Sequence, residues 1–239
     1  MSSDVIPVFA RFFGSWHVSV GRRAFRARDL QAHYDKQSGV WQSKIDRYGF
    51  EAAYADLISR VLCHWRYRVV AREPRVLDAG VGTGAMAAAF AKQLGRPFRL
   101  VGVDLSSEML ARVRDRFARS SVQVDLLQAD LAALPFADQK FDVVLVAHVL
   151  EHLSAPDRVL AELYRVLKPG GVVIACITRR SWMGLMVQML WRTHRVDIGL
   201  AERWLRGAGF VQVRAMSLDK DQAARRWSIG YVARKVGDV

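Results

Sequence analysis

The sequence predicts an α/β fold in which one mostly parallel, doubly wound sheet carries helices on both faces. Three observations lead there. Strand and helix patterns alternate through the middle of the chain, a glycine-rich turn follows the first strand of that series, and 239 residues, about half of them apolar, suffice for one sizeable core. The turn is the most telling of the three. Residues 76–84 read Val-Leu-Asp-Ala-Gly-Val-Gly-Thr-Gly, so a short apolar strand ends in an acidic residue and three glycines follow. Glycines there let the backbone turn tightly and approach a ligand that a Cβ would exclude, which points to a nucleoside-like cofactor. Gly-x-Gly-x-Gly alone also fits a structural turn, and the downstream spacing has to decide.

The first 72 residues precede that strand. Val5, Val8, Phe9, Phe12 and Trp16 recur on one helical face, Ser3 or Asp4 can cap the helix, and Pro7 is acceptable in its first turn. Arg22, Arg23, Arg26 and Arg28 follow. The pattern reads either as an interfacial helix or as one packed on the domain. After the glycine turn, Ala85–Leu94 is rich in helix formers and stops at Gly95, which suits a C-cap. The next apolar run, 98–103, ends at Asp104, 20 residues beyond Gly84. A carboxylate there can accept from both hydroxyls of a ribose.

Ser106 or Ser107 can cap a helix over 108–119, where Met109, Leu110, Val113 and Phe117 keep helical spacing. A strand at 122–128 leads into Ala129-Asp130-Leu131, Leu134-Pro135-Phe136 interrupts, and Phe141–Val146 is the fourth strand of the series. Pro156 opens a helix over 156–167, Lys168-Pro169-Gly170-Gly171 ends it, and Val172–Ile177 is a fully apolar strand. The chain closes with a helix at 200–206 and strands at 210–216 and 227–235, which can pair as an antiparallel edge.

Together, Val76–Gly84, Asp104, Ala129-Asp130-Leu131, Leu134-Pro135-Phe136, Phe141-Asp142-Val143-Val144 and Leu163–Gly171 resemble the class I S-adenosylmethionine-dependent methyltransferases, in particular their small-molecule, type 11-like branch. The resemblance is strong over residues 74–178. It implies a Rossmann-like sheet of seven strands with an antiparallel edge strand and an N-terminal helical lid. The domain division is then a lid and acceptor-side segment at 1–72 and a cofactor-binding domain at 73–239, with an acceptor-side insert at 179–198.

By the same resemblance the cofactor is S-adenosyl-L-methionine and the product S-adenosyl-L-homocysteine. Asp78 and the loop Gly80, Gly82, Thr83 and Gly84 would surround its methionine part. Asp104 would hold the ribose, with Leu105, Ser106 and Met109 beside the adenine. Asp130 would accept from the adenine amino group, the Leu131 backbone would read the ring edge, and Ala147 with His148 would floor the sulfonium. His152 matches in position a catalytic histidine of phosphoethanolamine methyltransferases, where a lid tyrosine partners it. Tyr34 or Tyr48 would play that part here, and Trp41 and Tyr54 resemble lid aromatics. His148 is a second candidate base. Against these roles, a histidine opening a surface helix is commonly a cap or a core neighbour.

A formal charge of +13 divides unevenly. Residues 73–178 hold 12 basic and 12 acidic residues, whereas 1–72 hold 12 against 6 and 179–239 hold 12 against 5. The excess reads either as solvated faces or as an anionic partner, such as a membrane surface. In the insert, Trp182, Leu185, Met186, Met189 and Leu190 form an apolar stripe, flanked by Arg179, Arg180, Arg192 and Arg195. Methionine-rich surfaces suit an adaptable apolar pocket, so the expected acceptor is small and lipophilic or amphiphilic.

The fourth strand ends in Ala-His-Val-Leu and lacks the Asn/Asp-Pro-Pro-aromatic motif used on exocyclic base amines, which disfavours a nucleic-acid methyltransferase. A non-catalytic partner subunit is the other alternative, disfavoured by the intact cofactor residues. Cys63 and Cys176 fit no metal or disulfide framework and read as buried, reduced thiols of a cytoplasmic protein. No metal is expected, and no apolar run has the roughly 18 residues that span a bilayer.

Overall fold

The computed structural model of the chain describes residues 5–13, 15–23, 49–64, 69, 71–178, 196–218, 223–226 and 228–237. Strands β1 (Val5–Phe13) and β2 (Trp16–Arg23) form an antiparallel hairpin, and helix α1 (Phe50–Cys63) follows. Then come β3 (Arg75–Ala79), α2 (Ala85–Leu94), β4 (Arg99–Asp104), α3 (Ser107–Phe117) and β5 (Gln123–Gln128). The second half runs β6 (Phe141–Ala147), α4 (Pro156–Val166), β7 (Leu167–Thr178), α5 (Ile198–Gly207), β8 (Val211–Ser217) and β9 (Ser228–Arg234). Short 3-10 turns lie at Leu150–His152 and Ala223–Arg226.

Seven strands make one sheet in the order β5-β4-β3-β6-β7-β9-β8. From β5 to β7 every neighbouring pair is parallel, while β9 runs antiparallel to both β7 and β8. The last two strands thus form the expected antiparallel edge, with the reversed strand one place inside the rim. The chain steps outward from β3 to β5 and then returns to β6 on the other side of β3. This reversal opens a crevice at the carboxyl ends of β3 and β6, where open α/β sheets bind ligands.

Alternating side chains sort the core onto two faces, as strand geometry requires. Val172, Ile174 and Cys176 of β7 pack with α1, α2 and α3, whereas Val173, Ala175 and Ile177 pack with α4 and α5. On the first face, Ala53, Leu57, Ile58 and Val61 of α1 are fully buried. Close approach there depends on Gly230 of β9, since a Cβ at that position would lie 2.6 Å from Leu57 Cδ1. Cys176 is buried as expected, but Cys63 lies exposed at the end of α1, which corrects the reading of two buried thiols.

The helix expected at Val5–Trp16 is a second correction, since this stretch forms β1 and opens β2. Its apolar residues match helical spacing, yet most are β-branched or aromatic and fit a strand as well, and the two periodicities are hard to tell apart over so short a run. Phe13 pairs with Trp16, and the sequence between them reads Gly14-Ser15, a glycine-led pair of the kind that favours hairpins. His17-Val18-Ser19-Val20 then alternates with period two, a signal that a helical reading of the preceding residues passes over.

Candidate active site

The glycine turn is built by its hydrogen bonds. Gly80 and Val81 both donate to Val103 O, at 2.8 and 2.9 Å, which folds the end of β3 over β4. Gly84 donates to Val81 O at 2.8 Å and delivers the chain into α2. Gly80, Gly82 and Gly84 all have positive φ, at 73°, 52° and 77°. A Cβ on Gly80 would overlap Val149 Cγ2, so glycine is required there for packing as well as for conformation. At Gly82 a Cβ would meet only Gly80 O, 4.0 Å away. The space above that residue is therefore open to a ligand.

Two adjoining hollows share Gly80, Gly82, Ala147 and His148. The smaller, with about 340 Å³ of free space, is lined by Asp78, Val81, Thr83, Ala85, Met86 and Tyr54. Asp78 is 1% exposed, and Asp78 Oδ2 and Thr83 Oγ1 are buried with no hydrogen-bond partner in the protein. Burial pushes the Asp78 carboxyl up to about 7, against a backbone hydrogen bond from Ala87 and with a contribution from the charge of Asp104. This pair of orphaned polar atoms suits a polar, cationic ligand group.

The larger hollow, about 690 Å³, is lined by Asp104, Leu105, Met109, Asp130, Leu131, Val149, His152 and Leu153. Asp104 Oδ2 accepts from Gly82 N at 2.9 Å and Oδ1 from Ser106 N at 3.0 Å, so the carboxylate is held rigid at the end of β4. Ser106 caps α3, its Oγ accepting from Met109 N at 3.2 Å. Asp130 Oδ1 accepts from Ala132 N at 2.9 Å, which shapes the turn that presents Leu131. Glu162 and Arg165 of α4 pin the following loop. Arg165 donates to Leu134 O and Phe136 O, and Glu162 accepts from Leu134 N.

On the acceptor side, residues 148–152 leave β6 through a left-handed residue, His148, with φ 56°. Its ring is buried beneath Phe50, which it meets edge-on at 5.2 Å, and Tyr54 at 6.3 Å. Nδ1 lies 3.0 Å from Thr178 Oγ1 and 3.3 Å from Glu151 Oε1. Burial by itself would lower the His148 pKa, but Cys176 and Glu151 outweigh it and raise it to about 10. These surroundings favour the protonated ring of His148, which has no lone pair with which to take a proton. His152, 7% exposed, lines the cleft from the 3-10 turn.

Of the residues named from the sequence, Asp78, Gly80, Gly82, Thr83, Asp104, Leu105, Met109, Asp130, Leu131, Ala147, His148 and His152 line one or both hollows. Gly84 and Ser106 stand behind them, shaping the turn and capping α3. Tyr34, Tyr48, Trp41 and the insert at 179–195 lie outside the described residues. Sequence reasoning passed over Glu151, although its place between two histidines in His-Val-Leu-Glu-His was visible. It also named Tyr54 only as a lid aromatic, whereas the structure sets it against His148. Among the described residues no group of side chains is arranged to hold a metal ion.

Residues 77–175 match a family profile described as a methyltransferase domain. The ubiquinone/menaquinone biosynthesis C-methyltransferase of Paraburkholderia xenovorans is 32% identical over 200 residues, 81% of each chain. Among solved structures, the phosphoethanolamine N-methyltransferase 2 of Haemonchus contortus, in complex with phosphomonomethylethanolamine and S-adenosylhomocysteine, superimposes with a TM-score of 0.62. It is 17% identical, and the match covers 92% of this chain and 62% of that one. The cyclase SpnF superimposes at 0.67 with 20% identity, over 90% of this chain and 98% of its own. At such identities the likeness is one of fold.

Proposed function

The chain belongs to the class I S-adenosylmethionine-dependent methyltransferases, and from that premise we propose that it methylates a ring carbon of a small, lipophilic, quinone-type acceptor. The kinship with ubiquinone/menaquinone biosynthesis C-methyltransferases favours that acceptor class. The observation that carries the reading is the wall of the cleft beyond β6. There Val149 and Leu153 line the cleft with His152, a surface suited to a greasy ring with one polar edge.

The residues present fit the cofactor. The buried, unpartnered Asp78 Oδ2 and Thr83 Oγ1 suit its amino-acid end, and the open space over Gly82 admits its backbone. Asp104 would hold the ribose hydroxyls with the oxygens that Gly82 and Ser106 orient, and Asp130, Leu131, Leu105 and Met109 would enclose the adenine. When bound, the cofactor supplies an electrophilic methyl group on a sulfonium. What the protein adds is placement in a water-poor cleft, where lining up acceptor and methyl lowers the barrier.

A neutral phenol is a poor carbon nucleophile, whereas its anion is a strong one. His152 is our candidate to take the phenolic proton, because it faces the cleft while His148 is held as a cation. A tyrosine of the 1–72 segment, Tyr34 or Tyr48, would assist it. Incubation with S-adenosylmethionine and a reduced demethylnaphthoquinol or benzoquinol bearing a short isoprenoid tail should add one methyl to carbon, read by mass spectrometry. Methylation of phosphoethanolamine in place of both quinols would overturn the proposed acceptor.

A further inference from the structure

Glu151 is a buried charge that touches neither of the two hollows. It is 0% exposed and sits on the 3-10 turn between the two histidines. Its Oε1 accepts from Thr178 N at 2.8 Å and faces His148 Nδ1 at 3.3 Å, while Oε2 is buried without a hydrogen-bond partner. His148 Nε2 lies 3.5 Å from Ser228 Oγ of β9. The pair therefore ties the turn after β6 to the ends of β7 and β9.

A carboxylate with one bare oxygen in such a place is costly unless a counter-ion stands beside it. His148 is that counter-ion. Although burial opposes ionisation of both, His148 is raised to about 10, by Cys176 first and then by Glu151, and Glu151 is lowered to about 2, by His148 first and then by His152 and the Thr178 N–H. Among the described residues the remaining titratable neighbours are Cys176 of β7 and Tyr54 of α1, with Asp78 of β3 acting on Tyr54 from the far side.

We propose that Glu151 is a positioning residue of the acceptor side, which anchors His148 and Thr178 and, through the turn it holds, sets the place and the charged surroundings of His152. The second half rests on His152 being the base. Glu151 does so without touching acceptor or cofactor. The carboxylate fixes the left-handed turn at His148 and thus the place of His152. Its charge, on the same 3-10 turn, also bears on the proton that His152 would take from a phenol.

Histidine-selective nitrogen NMR of the protein without acceptor tests the first half. At pH 8.5 one imidazole should remain fully protonated, and its signal should vanish in His148→Gln. In Glu151→Gln the same ring should lose its proton at a lower pH than in the native protein. Ordinary titration of all six histidines in the native protein would overturn the proposal, whether or not the variant folds.

The second half is read from the pH dependence of kcat/KM with the quinol that proves to be methylated, or otherwise with whichever acceptor takes label from the cofactor. Glu151→Gln should move the acidic limb down by about half a pH unit or more and leave S-adenosylhomocysteine binding within about twofold. Glu151→Asp should restore most of the shift. A uniform fall in kcat with the limb unmoved would mean a merely structural role. His152→Ala separates the two readings: if it leaves the limb and turnover intact, His152 is not the base, whereas an unmoved limb in Glu151→Gln with a lost one in His152→Ala defeats only Glu151.

Discussion

Asp104 and Asp78 show how a single carboxyl takes different work from its surroundings. Asp104 is partly buried and held by two backbone N–H groups, so it stays ready to accept from a diol. Losing a charge-assisted hydrogen bond costs about 1.5–3 kcal/mol. Asp104→Ala should therefore raise the Kd for S-adenosylhomocysteine by roughly tenfold to a hundredfold in calorimetry. Asp78 is buried and pushed up to about 7, so below that pH it is largely neutral in the free protein. A ligand ammonium needs it ionised. Affinity for S-adenosylhomocysteine should then climb as pH rises toward about 7 and level off above it, with proton release on binding at pH 6, and Asp78→Asn should abolish both effects. Asp104 was singled out by its spacing from the glycine turn, and Asp78 by the family resemblance. Glu151 was passed over: His148 three residues before it was visible, but the contact that buries it, with Thr178 across 27 residues, leaves no local pattern.

At the level of elements, the central series was readable because each strand ends in a turn or cap with its own chemistry, as at Gly95 after α2 and Ser106 before α3. The hairpin of β1 and β2 was misread because Val5–Trp16 satisfies two periodicities, and only the Gly14-Ser15 link and the alternation after it separate them. The seating of α1 was invisible for another reason. It depends on Gly230, a residue 173 positions after the Leu57 it accommodates. Gly230→Val should overpack that contact, at a cost of about 1–3 kcal/mol. The expected result is a lower melting temperature and, since Tyr54 of α1 lines the smaller hollow, weaker S-adenosylhomocysteine binding. A variant with native stability and affinity would show that α1 is not held in this way.

For the whole molecule, the buried groups set how stability follows pH. His148 is raised from 6.5 to about 10, so its contribution is complete below about pH 6.5 and is lost as pH rises through 10. Glu151 is lowered from 4.5 to about 2, so its share is complete above about pH 4.5 and is lost as pH falls through 2. Asp78, raised from 3.8 to about 7, contributes fully below about pH 4 and loses that contribution as pH rises through 7. The cofactor-free protein should therefore lose melting temperature steadily from about pH 5 to pH 10. Asp78→Asn should flatten the acidic part of that decline and His148→Gln the alkaline part. No helix among the described residues is long and apolar enough to cross a membrane. If the basic excess of 1–72 and 179–239 marks a face for an anionic surface, the protein should sediment with vesicles containing anionic lipid at low salt and be released at high salt. No sedimentation at low salt would argue against it.

The outward and returning walk of the chain through its sheet also bears on how such a protein can change over generations. The residues proposed to hold the cofactor come mainly from the outward run, 75–131, while His148, Glu151 and His152 belong to the return. The two sets meet along the single seam between β3 and β6. Recombination at that seam could replace one ancestor's nucleotide cradle with another's and leave acceptor choice where it was. A hybrid carrying residues 75–131 of a relative should accordingly inherit its acceptor from this chain.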